Sequence, residues 1–186
     1  MRRSCQGKRV GGAHRLFPGM TEKKFLLAFA FAVLIQSSIA AQNLPSTAAE
    51  SLSGHKMEFP AALAGHVAVC VFGFSKEAGD RGKPWMKRLN QDGINAWSVA
   101  NLEKAPSFVR GMIRSSMRKG TPASQLDHFL ILTKDAKAWE QAVGSKHDSL
   151  PVVVLLDAGG RIVWAYEGDF AAQPYQELRQ HMGAAQ

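Results

Sequence analysis

Cysteine is scarce in this sequence: Cys5 and Cys70 are the two present among 186 residues. They form no Cys-x-x-Cys, and dithiol–disulfide exchange needs one thiolate to attack and a second thiol to resolve. The chain therefore cannot run that chemistry by itself. A membrane-length apolar run is missing too. The apolar stretch at 25–35 has 11 residues, well short of the ~20 that cross a bilayer. Histidines at metal-binding spacing are also absent. His55, His66, His128, His147 and His181 follow the leader, and no two stand at i and i+4 on one helix. They read as surface or loop residues, with no metal site implied; His55 and His66 bracket a short edge hairpin and are placed to meet in space. No Ser or Thr has an obvious His partner, so no activated hydroxyl nucleophile is expected, and no cofactor is implied.

An excess of one charge is missing from most of the chain. The formal net charge is +8, yet residues 1–41 hold seven basic side chains and one acid, which leaves a net of +2 for 42–186. Basicity confined to a leader gives no nucleic-acid footprint. That leader has the order of an export signal. Lys23 and Lys24 precede the apolar run, and small residues follow, with Ser38 and Ala40 fitting cleavage before Ala41 or, one residue later, before Gln42. Residues 1–41 are thus expected to be a signal peptide with an N-terminal extension, Met20 being the start of a signal of conventional length. The mature protein is expected to be periplasmic or secreted, without a membrane span and with Cys70 as its one thiol.

Residues 42–51 read as a tether and 52–186 as one domain. A short edge element precedes the continuous apolar run at 67–72, the mark of a strand buried on both faces. Polar, glycine-containing 75–83 reads as a loop leading to a helix that starts at Pro84 and carries Trp85, Met86 and Leu89. A strand at 95–102 is followed by a helix opened by Pro106, whose apolar set is Phe108, Val109, Met112, Ile113 and Met117. Arg110, Arg114 and Arg118 recur every four residues opposite that set, a basic stripe suited to solvent, to an acidic partner or to anionic lipid. Next come a strand at 128–132 and a helix capped by Asp135, with Trp139 and Val143 on one face and Gly144 at its end. Strands at 152–156 and 162–166 flank the turn Asp157-Ala158-Gly159-Gly160, and a last helix runs from about Pro174 to Met182. The alternation gives an α/β sandwich with a central mixed β-sheet flanked by helices.

Three passages carry a resemblance. They are Leu52-Ser53-Gly54 with Phe59-Pro60 and Leu63-Ala64-Gly65; the strand at 69–75; and Leu150-Pro151 with the valine run, Asp157, Gly160 and Gly168. Their order is similar to the exported TlpA/peroxiredoxin-like branch of the thioredoxin-like superfamily. Phe74-Ser75-Lys76-Glu77-Ala78-Gly79 with Trp85, and Ile162-Val163-Trp164 with Gly168, also resemble thioredoxin-like assembly factors of mitochondrial ATP synthase. Val163 stands where those often have Arg.

The resemblance implies a thioredoxin-like sandwich whose Cys-x-x-Cys would fall within 76–82, where this chain has Lys-Glu-Ala-Gly-Asp-Arg-Gly. A peroxidatic cysteine would belong there as well. The implied function is that of an exported, non-catalytic protein that binds a protein or peptide partner, or assists its assembly, through the old active-site groove. Ser75, Lys76, Glu77, Trp85, Leu150 and Pro151 are its implied residues. Pro151 would follow a cis bond, and the backbone of Leu150 would pair with an extended segment. The rival is a thiol oxidoreductase or peroxidase-related enzyme acting through Cys70 or beside a cysteine-bearing partner, with a small-ligand or metal binder as a third class. Cys70 lies between Val69 and Val71, so a core role is expected of it.

Overall fold

The computed structural model describes residues 44–185. The signal segment and residues 42–43 of the expected tether lie outside them. Seven strands form one sheet: β1 (Thr47–Ser51), β2 (Lys56–Phe59), β3 (Ala68–Gly73), β4 (Ala96–Asn101), β5 (Phe129–Leu132), β6 (Val152–Leu156) and β7 (Ile162–Glu167). Their spatial order is β2-β1-β5-β4-β3-β6-β7. The strands β3, β4 and β5 run parallel, while β6 and β7 at one side and β1 and β2 at the other are antiparallel. Four helices flank the sheet: α1 (Lys76–Gln91), α2 (Ser107–Gly120), α3 (Ala136–Val143) and α4 (Ala172–Ala184). Among the described residues, no helix is long and apolar enough to cross a membrane.

Strand β3 explains the layering. Cys70 and Phe72 point to the side covered by Trp139 and Val143 of α3, while Val69 and Val71 point to the side covered by Trp85 and Leu89 of α1 and Leu178 of α4. Successive strand residues face opposite sides, so a strand in the middle of a three-layer sandwich must be apolar throughout. All six residues of β3 are buried. Helices α1 and α2 connect parallel neighbours and pack on the same face, as two right-handed crossovers advancing in one direction require.

Several expectations need correction. The expected tether contains β1: Thr47, Ala49 and Ser51 are buried, and Glu50 faces the other way to meet Arg114. Its small and polar side chains carry no apolar signal, and its place in the sheet comes from pairing with β2 and β5. Helix α1 begins at Lys76, not at Pro84, which lies exposed inside it. The glycines that suggested a loop serve close packing instead. A Cβ on Gly73 would lie 3.0 Å from the backbone of Gly79, and one on Gly82 would lie 3.1 Å from Val71. Those gaps let the helix rest directly on β3.

The side chain of Asp135 does not cap α3; it accepts a hydrogen bond from Thr47, and Glu103 from the loop after β4 accepts one from the Ala136 N–H instead. Helix α2 is turned differently from its expected pattern. Ile113 and Met117 pack against Leu52, Leu102 and Ile131, while Phe108 and Met112 face solvent. Its arginines point back to the body: Arg114 to Glu50, Arg110 to the carbonyls of Ala105 and Glu103, and Arg118 to the carbonyl of Ser53. Three tryptophans, Trp85, Trp139 and Trp164, are buried, and Trp97 is half-buried.

Candidate functional site

The carboxyl end of β3 and the start of β6 meet at one end of the sheet, and the implied groove residues gather along this edge of strand ends. Ser75 is the N-cap of α1. Its Oγ accepts from the Ala78 N–H at 3.1 Å and donates to the Asp148 carbonyl at 2.7 Å. One hydroxyl thus satisfies an open helix donor and ties the helix start to the loop before β6. Lys76 is exposed and paired with Asp80 at 2.8 Å, and Lys83 reaches the same carboxylate at 2.6 Å. The hydrogen bond from Lys76, then that from Lys83, holds the Asp80 carboxyl down at about 2. Glu77 is exposed, 3.6 Å from Arg81.

Arg81 crosses the gap between the two walls. It makes two parallel contacts to Asp169, at 2.7 and 2.6 Å, and a longer one to the Ser149 carbonyl at 3.4 Å. The Arg81 hydrogen bond is the main reason the Asp169 carboxyl sits below its ordinary value. This paired geometry fixes orientation as well as distance. On the far wall, Glu167 organises the loop. Its carboxylate, 14% exposed, accepts from the N–H groups of Lys146 and His147 at 2.7 and 2.8 Å, and lies 3.0 Å from His147 Nδ1.

The loop then turns on itself, with the Leu150 N–H donating to the His147 carbonyl at 3.0 Å. Pro151 follows, buried against Gly82, and its carbonyl accepts from the Gly168 N–H at 3.0 Å. The expected cis bond at Pro151 is not found: among the described residues the cis peptide is Phe59–Pro60, and Leu150–Pro151 is trans. The turn closed by His147 and Leu150 leads through Pro151 directly into β6.

Five of the six implied residues therefore come together: Ser75, Lys76 and Glu77 on one wall, Leu150 and Pro151 on the other. Trp85 does not join them at the surface. It is fully buried, donates from Nε1 to the Gly168 carbonyl at 3.1 Å, and packs edge-on against Phe170. Arg81 and Asp169, which join the walls, and Glu167, which holds the loop of the far wall, carried no sequence signal; each meets its partners only through the fold.

Cys70 lies away from this edge. It stands opposite Trp97 of β4 and Val154 of β6, with no exposed surface, and burial pushes its thiol well above the ordinary value. A thiol held protonated and out of reach is a poor nucleophile. The hairpin histidine, His55, contacts Asp127 at 2.9 Å and Ser53 at 3.3 Å, and Ser53 also donates to Asp127. Both contacts of His55 use the same ring nitrogen, so no relay runs from carboxylate through imidazole to hydroxyl. Among the described residues no group of three or more metal-ligating side chains converges. A cavity of about 570 Å³ lies elsewhere, over the outer face of β1 and β2, between Ala48, Glu50, Lys56, Met57 and Arg114.

No protein-family model matches the chain, and no curated protein matches it. Solved structures do. BsSco, a member of the Sco family of cytochrome c oxidase assembly proteins, matches with a TM-score of 0.55 at 11% identity, over 78% of this chain and 95% of that one. An exposed lipoprotein thioredoxin from Streptococcus pneumoniae matches at 0.51 and 12% identity, covering 73% and 99%. The thioredoxin domain of a thiol-disulfide oxidoreductase from Bacteroides vulgatus matches at 0.51 and 16% identity, covering 77% and 98%. The fold is thioredoxin-like, a mixed seven-stranded sheet flanked by four helices. In its sequence, the segment where the resemblance expects a redox dithiol is Lys76 through Gly82, the first two turns of α1.

Proposed function

We propose that this chain is an exported, non-catalytic thioredoxin-like protein that binds or helps to assemble a protein partner at the edge formed by the start of α1 and Leu150. The observation that carries this reading is the place of Cys70: the one described thiol is buried in the centre of the sheet, not at that edge. The edge offers binding groups, and no cysteine stands among its described residues. Lys76 and Glu77 present charge of both signs, and Leu150, half-buried, presents an apolar side chain. Because the Leu150 N–H is already used by His147, a partner strand would take the Leu150 carbonyl and side-chain contacts, not a full two-bond strand pairing. Export and an extracytoplasmic place accord with the leader pattern at 23–41.

The experiment has two arms. The purified chain is expected neither to reduce insulin nor to consume peroxide in the presence of dithiothreitol, and Cys70→Ala is expected to lose about 1 kcal/mol of stability from core packing. Reduction of insulin by the wild type that Cys70→Ala abolishes while still folded would establish the oxidoreductase instead. In the second arm, a photocrosslinking residue at Leu150 is expected to trap a partner in the native envelope, and the same group at exposed Ala165 on β7 is not. Equal trapping at both positions would remove the edge as the binding face.

A further inference from the structure

Helix α2 carries four cationic residues, Arg110, Arg114, Arg118 and Lys119, and no acid. At about 100° per residue, Arg110, Ile113, Arg114 and Met117 share the side turned to the sheet, and Phe108, Met112, Ser115 and Lys119 form the opposite ridge. The contacts agree with this division. Ile113 and Met117 sit over Leu52, Leu102 and Ile131. On the ridge, Phe108 is 85% exposed and Met112 73%, and these are the exposed large hydrophobic side chains among the described residues. They lie one turn apart, with Gly111 and Ser115 beside them too small to shield either.

The charge of this helix is mostly uncompensated. Glu50 neutralises Arg114. Arg110 and Arg118 bond to carbonyl oxygens, which carry no net charge. Nearby acids are turned elsewhere: Glu103 to the start of α3, and Asp127 to Ser53 and His55. Lys119 has no carboxylate within ion-pair distance among the described residues.

We propose that α2 is a peripheral docking helix for an anionic lipid surface, with Phe108 and Met112 entering the boundary between headgroups and acyl chains, Lys119 facing the phosphates from the same ridge, and Arg118, bonded to the Ser53 carbonyl, adding positive charge at its flank. The shape of the ridge favours lipid over a folded partner. Two long apolar side chains stand exposed on the outer ridge of a helix, and a protein would need a preformed pocket for each, whereas acyl chains yield around them. The cationic flank supplies the charge complementarity that a headgroup layer rewards. With two apolar anchors and a few cations, the contact is weak and reversible.

The test uses the full chain with Met112→Trp as a local probe, and vesicles of phosphatidylglycerol or phosphatidylcholine with brominated acyl chains. The apolar leader can bind vesicles by itself, so quenching of the new tryptophan above the wild-type background, not total binding, is the readout. The native tryptophans supply that background, three of them buried. Quenching of Met112→Trp is expected with phosphatidylglycerol and not with phosphatidylcholine. Adding Phe108→Ser, or Arg118→Glu with Lys119→Glu, is expected to lower the apparent partition by about tenfold. Quenching no greater than the wild-type background, or equal in both lipids, overturns the proposal. A change of oligomeric state on Phe108→Ser without lipid quenching also overturns it and assigns the ridge to a second copy of this chain.

Discussion

Trp85→Ala is expected to destabilise the protein by about 3–5 kcal/mol, the range for removing a buried aromatic side chain. Trp85 has no exposed surface and fills the space between β3, α4 and the Gly168–Phe170 segment, where Tyr166, Phe170 and Tyr175 surround it. Its Nε1–H also holds the Gly168 carbonyl. Trp85→Phe keeps much of the volume but leaves that buried acceptor without its donor, so a loss of about 1–3 kcal/mol is expected. Denaturant unfolding of the two variants beside wild type measures both. A Trp85→Ala protein as stable as wild type, but unable to crosslink from Leu150, would return Trp85 to the binding surface and refute its place in the core.

Glu167→Ala is expected to cost about 2–3 kcal/mol at neutral pH, because one carboxylate holds two backbone N–H groups and the His147 ring. Burial pushes the Glu167 carboxyl up, and the hydrogen bonds from His147 and Lys146 more than offset it, so the net shift is downward from 4.5. The sign of the pH dependence follows. A carboxyl lowered in the folded state contributes stability that is fully present above its ordinary value and is lost as pH falls through the folded value. The difference between wild type and Glu167→Ala is therefore expected at pH 7 and expected to narrow below about 4.5, as urea midpoints at both pH values will show. Amide exchange at Leu150 should speed up in the variant at pH 7, since Glu167 holds the loop that positions the Leu150–His147 bond. A gap between the two proteins that stays constant down to pH 3 would mean that Glu167 acts by packing alone.

Much of the edge around Pro151 was legible because its signals are local. The resemblance implied Ser75–Glu77 and Leu150–Pro151 as the two walls, and the valine run at 152–156 marked the second as the start of a strand, although 75–83 read as a loop and not as the start of a helix. What joins the walls was not legible. Arg81 meets Asp169 and Glu167 meets Lys146 and His147 across separations of 88, 21 and 20 residues, and charged side chains without periodicity do not announce their partners. Trp85 was misplaced for the opposite reason. The resemblance placed it at the groove, while its position with Met86 and Leu89 on one face of α1 buries it in the core.

The sequence by itself determined the layered α/β class, the buried central strands at 67–72 and 152–156, and the absence of a dithiol from the segment at 76–82. Those features reside in runs of consecutive apolar residues and in residue identity, which require no partner to be read. Tertiary structure alone decided that Thr47–Ser51 is a strand, since its short, polar side chains are buried through pairing with β2 and β5. It alone decided that Gly73 and Gly82 mark close packing of α1 on β3, because only the spacing between two elements tells a glycine that permits contact from one that permits a turn. The rotation of α2 was decided there as well. An amphipathic helix can bury any stripe whose contacts outweigh the alternative, and here Glu50 and three backbone carbonyls hold the arginine side inward and leave Phe108 and Met112 in solvent.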